Sequence, residues 1–174
     1  KFVASYNLCP WASASVDTRD AIRIYCCQSP ESPDQATTYV SHIAAEFASD
    51  LEQLDPNSAI AFIVFEPNLH KPNWIDDVSS FYDWFLELEE TSFLEDVTLA
   101  PFHPKWTYNQ QKDAVLDLEK QSPYPTVSLV STAVIEKAGE AATARIAADN
   151  ETILRQRTLD EWKDIYNSSI RTQS

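Results

Sequence analysis

Ala59-Ile60-Ala61-Phe62-Ile63-Val64-Phe65 is an unbroken run of seven apolar residues. It is rich in β-branched and aromatic side chains and too short for a buried helix. Such a run predicts a central strand covered on both faces, as in sheets with helices packed against them.

Upstream, Ile22, Ile24 and Cys26 alternate with Arg23, Tyr25 and Cys27, the period-2 pattern of a half-buried strand. Between the two strands, Ser32-Pro33-Asp34-Gln35 reads as a helix start. Ser32 can cap, Pro33 suits the first helical position and Gln35 can close a capping box. Ala36, Val40, Ile43, Phe47, Leu51 and Leu54 then form one helical stripe, which Asp55-Pro56-Asn57 ends. Downstream, a second helix is expected from about Trp74 to Glu90, with Trp74, Val78, Phe81, Phe85 and Leu88 as its buried stripe. Asp76 and Asp77 sit favourably at its positive N-terminal end. Val97 to Phe102 reads as a third strand, and 126–142 and about 151–168 as further helices. Strands joined by long helical crossovers imply an α/β fold: one domain over 1–174, a mostly parallel sheet of three or four strands, and a C-terminal helical extension at about 143–170. The C-terminal ends of such strands share an edge, where open α/β sheets place their ligands. That edge would carry Cys27, Gln28, the stretch from Glu66 to His70, and Phe102-His103-Pro104.

Composition narrows the function classes. The 174 residues hold 27 acids against 13 bases, a formal charge of −14. A nucleic-acid partner is therefore not expected, because binding a phosphate backbone relies on releasing counterions to a basic surface. A basic protein partner is electrostatically easier. No apolar run approaches the ~20 residues that span a bilayer, so an integral membrane protein is not expected either. One glycine, Gly139, stands where about twelve are usual. That excludes P-loops and dinucleotide fingerprints, which need several glycines for close backbone approach to phosphates. The chain has no methionine, which points to a processed or trimmed form and favours an organelle over the cytoplasm.

The three cysteines, Cys9, Cys26 and Cys27, leave open a Cys9 disulfide to either neighbour or three thiols acting as small hydrophobes. Two sequons, at Asn150 and Asn167, are short enough to arise by chance in a chain rich in Ser and Thr and are weak evidence of secretion.

Three segments are richer than a scaffold needs: Asn7-Leu8-Cys9-Pro10-Trp11-Ala12, Pro101-Phe102-His103-Pro104, and Gln121-Ser122-Pro123-Tyr124-Pro125. In this order and spacing they resemble the domain of unknown function 1415 family, with its NLCPFA-like, SFHP-like and RSPYP-like segments, from about Phe2 to Ala138. The resemblance implies no established activity. Two departures stand out against it. Gln121 takes the place of the family's usual arginine, and 106–111 replaces an apolar-Ala-Gly turn. If the family site binds an anion, a neutral amide at Gln121 removes its strongest charge-assisted contact.

The chemistry these residues could carry falls into three readings. Cys9 and His103 could form a nucleophile–base pair acting on a small acyl-type substrate, with Glu66 orienting the imidazole. Asn7, Gln121, Ser122 and Tyr124 would then line a ligand site, with Ser122 as a cap and Tyr124 as a wall. A metal site from Cys9, His70, His103 and Cys26 or Cys27 lacks the tight spacings of zinc ligands, so neither a metal nor another cofactor is expected. The third reading, favoured by the weakened motif, is a non-catalytic accessory subunit on an enzyme-like scaffold. Its partners would be proteins, basic ones or subunits of a membrane complex. Trp11, Trp74, Trp106 and Trp162 are spread widely enough to supply exposed anchors for them.

Overall fold

The computed structural model describes residues 21–54, 59–66, 73–91, 95–107 and 113–171. Its elements follow in the order β1 (Ile22–Gln28), α1 (Pro33–Asp50), β2 (Ile60–Glu66), a 3₁₀ turn (Trp74–Asp76), α2 (Val78–Glu89) and β3 (Val97–Phe102). After these come α3 (Ala114–Asp117) with a 3₁₀ extension (Leu118–Lys120), β4 (Thr126–Ser131), α4 (Thr132–Leu154) and α5 (Leu159–Arg171).

The sheet order is β1-β2-β4-β3. β1 pairs parallel with β2, whereas β4 is antiparallel to both β2 and β3. Strands β1, β2 and β3 therefore all run one way, and only β4 opposes them. The expected α/β fold and the central place of 59–65 both hold. Pro101 has no N–H to donate to a ladder, and it sits in β3, which among the described residues is an edge strand paired on one side.

One expectation is corrected here. The first six residues of the helix expected over 126–142 are β4, and α4 begins only at Thr132. Thr126-Val127-Ser128-Leu129-Val130-Ser131 is dominated by β-branched and small polar residues that give little to a helix. Pairing on both sides, at Ile63↔Val127 and Leu99↔Leu129 among others, then decides the conformation.

Helices α1 and α2 close one face of the sheet. Val40, Ile43 and Phe47 of α1, with Phe81, Trp84, Phe85 and Leu88 of α2, share a core with Ala61, Ile63, Phe65, Leu99, Val127 and Leu129. Truncating a large aromatic in such a core to Ala costs about 3–5 kcal/mol. α1 starts as its residues dictate: Ser32 Oγ accepts from the Gln35 amide at 3.3 Å, and Gln35 Oε1 accepts from the Glu31 amide at 2.7 Å. A second, smaller core lies between α3, the end of α4 and α5, built on Leu118, Leu154 and Trp162. Trp162 donates its indole N–H to the Leu154 carbonyl at 2.6 Å.

The helix expected over 151–168 is two helices. α4 runs to Leu154, and α5 restarts after a turn at a capping box in which the Thr158 amide donates to Glu161 Oε2 (2.8 Å) and the Glu161 amide to Thr158 Oγ1 (3.3 Å). Within α4, Gly139 breaks the helical path with φ 76° and ψ 166°. Asn150 is buried and donates to Glu119 Oε1 at 2.7 Å, so its sequon is closed in the folded chain, whereas Asn167 is exposed.

Candidate functional site

Because β1, β2 and β3 run together, Gln28, Glu66 and Phe102 end on one edge of the sheet. β4 begins on that same edge at Thr126, which pairs with both Val64 and Phe102. Two of the three motif segments are thereby brought side by side.

His103 leaves β3 at this edge and is 1% exposed. Its amide donates to the Lys120 carbonyl at 3.0 Å, joining the second motif to the residue just ahead of the third. Its ring lies 5.4 Å from that of Phe81. The Lys105 amide donates to Nδ1 at 3.0 Å, which makes Nδ1 an acceptor. Nε2 must then carry the proton, and it donates to the Ile75 carbonyl at 3.2 Å. Burial pushes the imidazole below its ordinary pKa, against the smaller opposing pull of the Ile75 hydrogen bond. Each ring nitrogen has one in-plane position, and both positions are filled by backbone.

Gln121 stands where the resemblance places arginine, and its side-chain amide reaches the Trp106 carbonyl at 3.4 Å. Ser122 donates its hydroxyl to the Tyr124 carbonyl, and Thr126 Oγ1 donates to the same oxygen at 2.8 Å. The Pro125 carbonyl accepts from the Phe65 amide at 2.9 Å, which ties the third motif to β2. Tyr124 projects outward, 48% exposed. Glu66 is exposed, and its carbonyl accepts from the amide and hydroxyl of Ser29. Cys9, Asn7 and His70 lie outside the described residues, so their spacing from His103 is not defined. Among the described residues, no group of three His, Cys, Asp or Glu side chains can hold a metal ion.

The bonds that use Ile75, Trp106 and Lys120 were not foreseen from the sequence. All three contribute backbone atoms, which carry no side-chain signature. For three of the four tryptophans the expectation of exposed anchors is corrected. Trp106 and Trp162 are buried and Trp74 is half-buried, with its N–H given to the Pro30 carbonyl at 3.2 Å; Trp11 lies outside the described residues. Trp106 instead packs edge-on against Tyr82, and Trp74 against Trp84.

The fold is thus an α/β domain on a mixed four-stranded sheet, with its second and third motifs knitted together at one sheet edge. The chain belongs to the family described as protein of unknown function (DUF1415), whose model matches residues 1–164. The match runs past Ala138, through α4 and into α5. No curated protein matches the chain, and no solved structure does. No helix among the described residues is long and apolar enough to cross a membrane.

Proposed function

We propose that this chain is a non-catalytic interaction protein that docks a protein partner on the outer face of β1. The observation that carries the reading is the orientation of that strand. Arg23 and Tyr25 turn toward α1, where Arg23 pairs with Asp50 and the Tyr25 hydroxyl reaches Glu46 at 3.4 Å. Ile22, Ile24 and Cys26 therefore take the opposite face, with Ile22 38% and Ile24 66% exposed. Among the described residues β1 pairs on one side only, and such a strand, with its apolar residues facing out, offers both backbone and side-chain contacts to a partner. The charge of −14 favours a partner that carries bases around an apolar patch, drawn in at long range.

The engagement of His103 supports the same reading. A general base needs a free nitrogen within hydrogen-bond reach of the proton it takes. With both nitrogens bonded to backbone, His103 acts as a clamp between β3 and the turn ahead of α2. Gln121 likewise serves the Trp106 carbonyl and carries no charge for an anion.

The test is site-specific photo-crosslinking from residue 24 in an extract of the native source, with residue 87 on the exposed side of α2 as control. A discrete adduct from residue 24 only is expected. Ile24→Asp should return the chain to its monomer mass without shifting its melting midpoint. A native chain that is monomeric with a bound small molecule, or an activity lost in Cys9→Ala, would overturn the reading.

A further inference from the structure

The backbone of β1 sets how a partner can meet it. The Ile60 amide donates to the Ala21 carbonyl at 2.9 Å, and the Ser29 amide donates to the Glu66 carbonyl at 3.3 Å, one bond at each end of the β1–β2 ladder. Alternate residues of a strand turn their backbone groups to the same side, so Ala21, Arg23, Tyr25, Cys27 and Ser29 address β2. Ile22, Ile24, Cys26 and Gln28 turn their N–H and C=O groups the other way, to the side where the sheet ends among the described residues. The Cys26 carbonyl, which β2 does not use, accepts instead from the Tyr39 hydroxyl of α1 at 3.1 Å.

Helix α1 runs back along the inner side of β1, so that Cys26 meets Tyr39, Tyr25 meets Glu46 and Arg23 meets Asp50. The edge therefore has two unlike sides. On the outer side stand Ile22, Ile24 and Cys26. On the inner side Arg23 and Asp50 neutralise each other, which leaves Glu46, exposed beside Tyr25, to attract a cation. We infer that the partner docks by strand addition: an extended segment of it pairs antiparallel with β1, the direction in which strands pair more stably. Apolar residues of that segment would take the outer side opposite Ile24 and Cys26 and exchange N–H···O bonds with them. The residue between these, opposite Tyr25, would be lysine or arginine, within reach of Glu46. Strand addition rests on the reading of β1 as the docking strand, and names the conformation and sequence pattern of what docks.

The probe is a capped heptapeptide, Val-Thr-Val-Lys-Val-Thr-Val, which matches the seven residues of β1. It is titrated into the full chain by NMR at about 0.15 M salt, so that long-range attraction is screened. Saturable binding is expected, with slower amide exchange at Ile24 and Cys26 and no change at Tyr25, whose amide already faces β2. N-methylation of the valines removes the N–H groups aimed at β1 and should abolish binding. N-methylation of the threonines, whose N–H groups point away, should not. Glutamate in place of the central lysine and Glu46→Gln should each weaken binding about fivefold, the size of an exposed ion pair. Glu87→Gln, on α2, should leave affinity unchanged. Strand addition is overturned by the absence of saturable binding, by full affinity of the valine-methylated peptide, or by equal affinity of the lysine and glutamate peptides. If the crosslink from residue 24 still forms in that case, the partner meets β1 through side chains alone and the docking role stands; if it does not, both fall.

Discussion

His103 Nε2 and the Ile75 carbonyl oxygen lie 3.2 Å apart, a bond that fastens the end of β3 to the turn in front of α2. The proton in that bond belongs to a neutral imidazole, and the geometry has a pH signature. The folded pKa is depressed by burial, so the unfolded chain takes up a proton first as pH falls. The stabilisation is complete above the unfolded value of about 6.5 and is lost as pH drops toward the lower folded value. Urea midpoints from pH 8 to 5 should fall more steeply for the parent than for His103→Gln, which keeps a donor and an acceptor but cannot titrate. Parallel curves would contradict a buried neutral His103.

Replacing His103 by Ala should cost about 2–4 kcal/mol, because it leaves a cavity and the buried Ile75 carbonyl without its donor. Equilibrium denaturation at pH 8, where the imidazole is neutral in both states, measures that loss free of titration.

At Gly139 the left-handed φ of 76° with extended ψ belongs to a region essentially reserved for glycine, although a Cβ there would meet nothing within 4 Å. Gly139→Ala should therefore destabilise the chain by about 1–2 kcal/mol through backbone strain alone, read from the urea midpoint. A gain in stability would mean that the break is not held in place by the rest of the fold.

The core of Leu118, Leu154 and Trp162 is separate from the core under the sheet. Trp162→Ala should remove about 3–5 kcal/mol of local stability. Hydrogen exchange should show faster exchange across 113–120 and 150–168, with β1 to β4 unaffected. Loss of protection in β2 would show that the two cores unfold as one.

Cysteine reactivity separates the functional readings. Cys26 is exposed, whereas Cys27 is buried and burial pushes its thiol pKa up. Iodoacetamide mapping of the native chain at about pH 8.5 should label Cys26 well before Cys27. For a non-catalytic chain, Cys9 should react no faster than Cys26 near pH 6. Rapid labelling of Cys9 there would mark an activated thiolate and favour the enzyme reading.

Much of this fold was legible where a single element carries its own pattern. The apolar run at 60–65 is β2, the Ser32-Pro33 start and its stripe are α1, and 97–102 is β3 to the residue. β4 was misread because Ser-Pro-Tyr-Pro resembles a helix entry and the following residues merge into α4, while its strand character comes from two neighbours distant in sequence. The α4–α5 break was readable in Thr158-Leu159-Asp160-Glu161, a capping box passed over within a longer helical pattern. In β1 the alternation was visible but not its sense: Arg23 and Tyr25 turn inward because Asp50 and Glu46 wait on α1. The site was half legible. Motif spacing pointed to His103, but its partners at Ile75, Lys105 and Lys120 are backbone groups.

The placement of β4 also sets an order of assembly. The strand made last sits inside the sheet, between β2 and β3, so among the described residues β3 has no neighbour to pair with until residues 126–131 have left the ribosome. Before then, among the described strands, β1 and β2 are the pair that can form. Sheet closure waits on a contact between segments about sixty residues apart, a long loop of the kind that slows folding and leaves strand edges open to wrong partners.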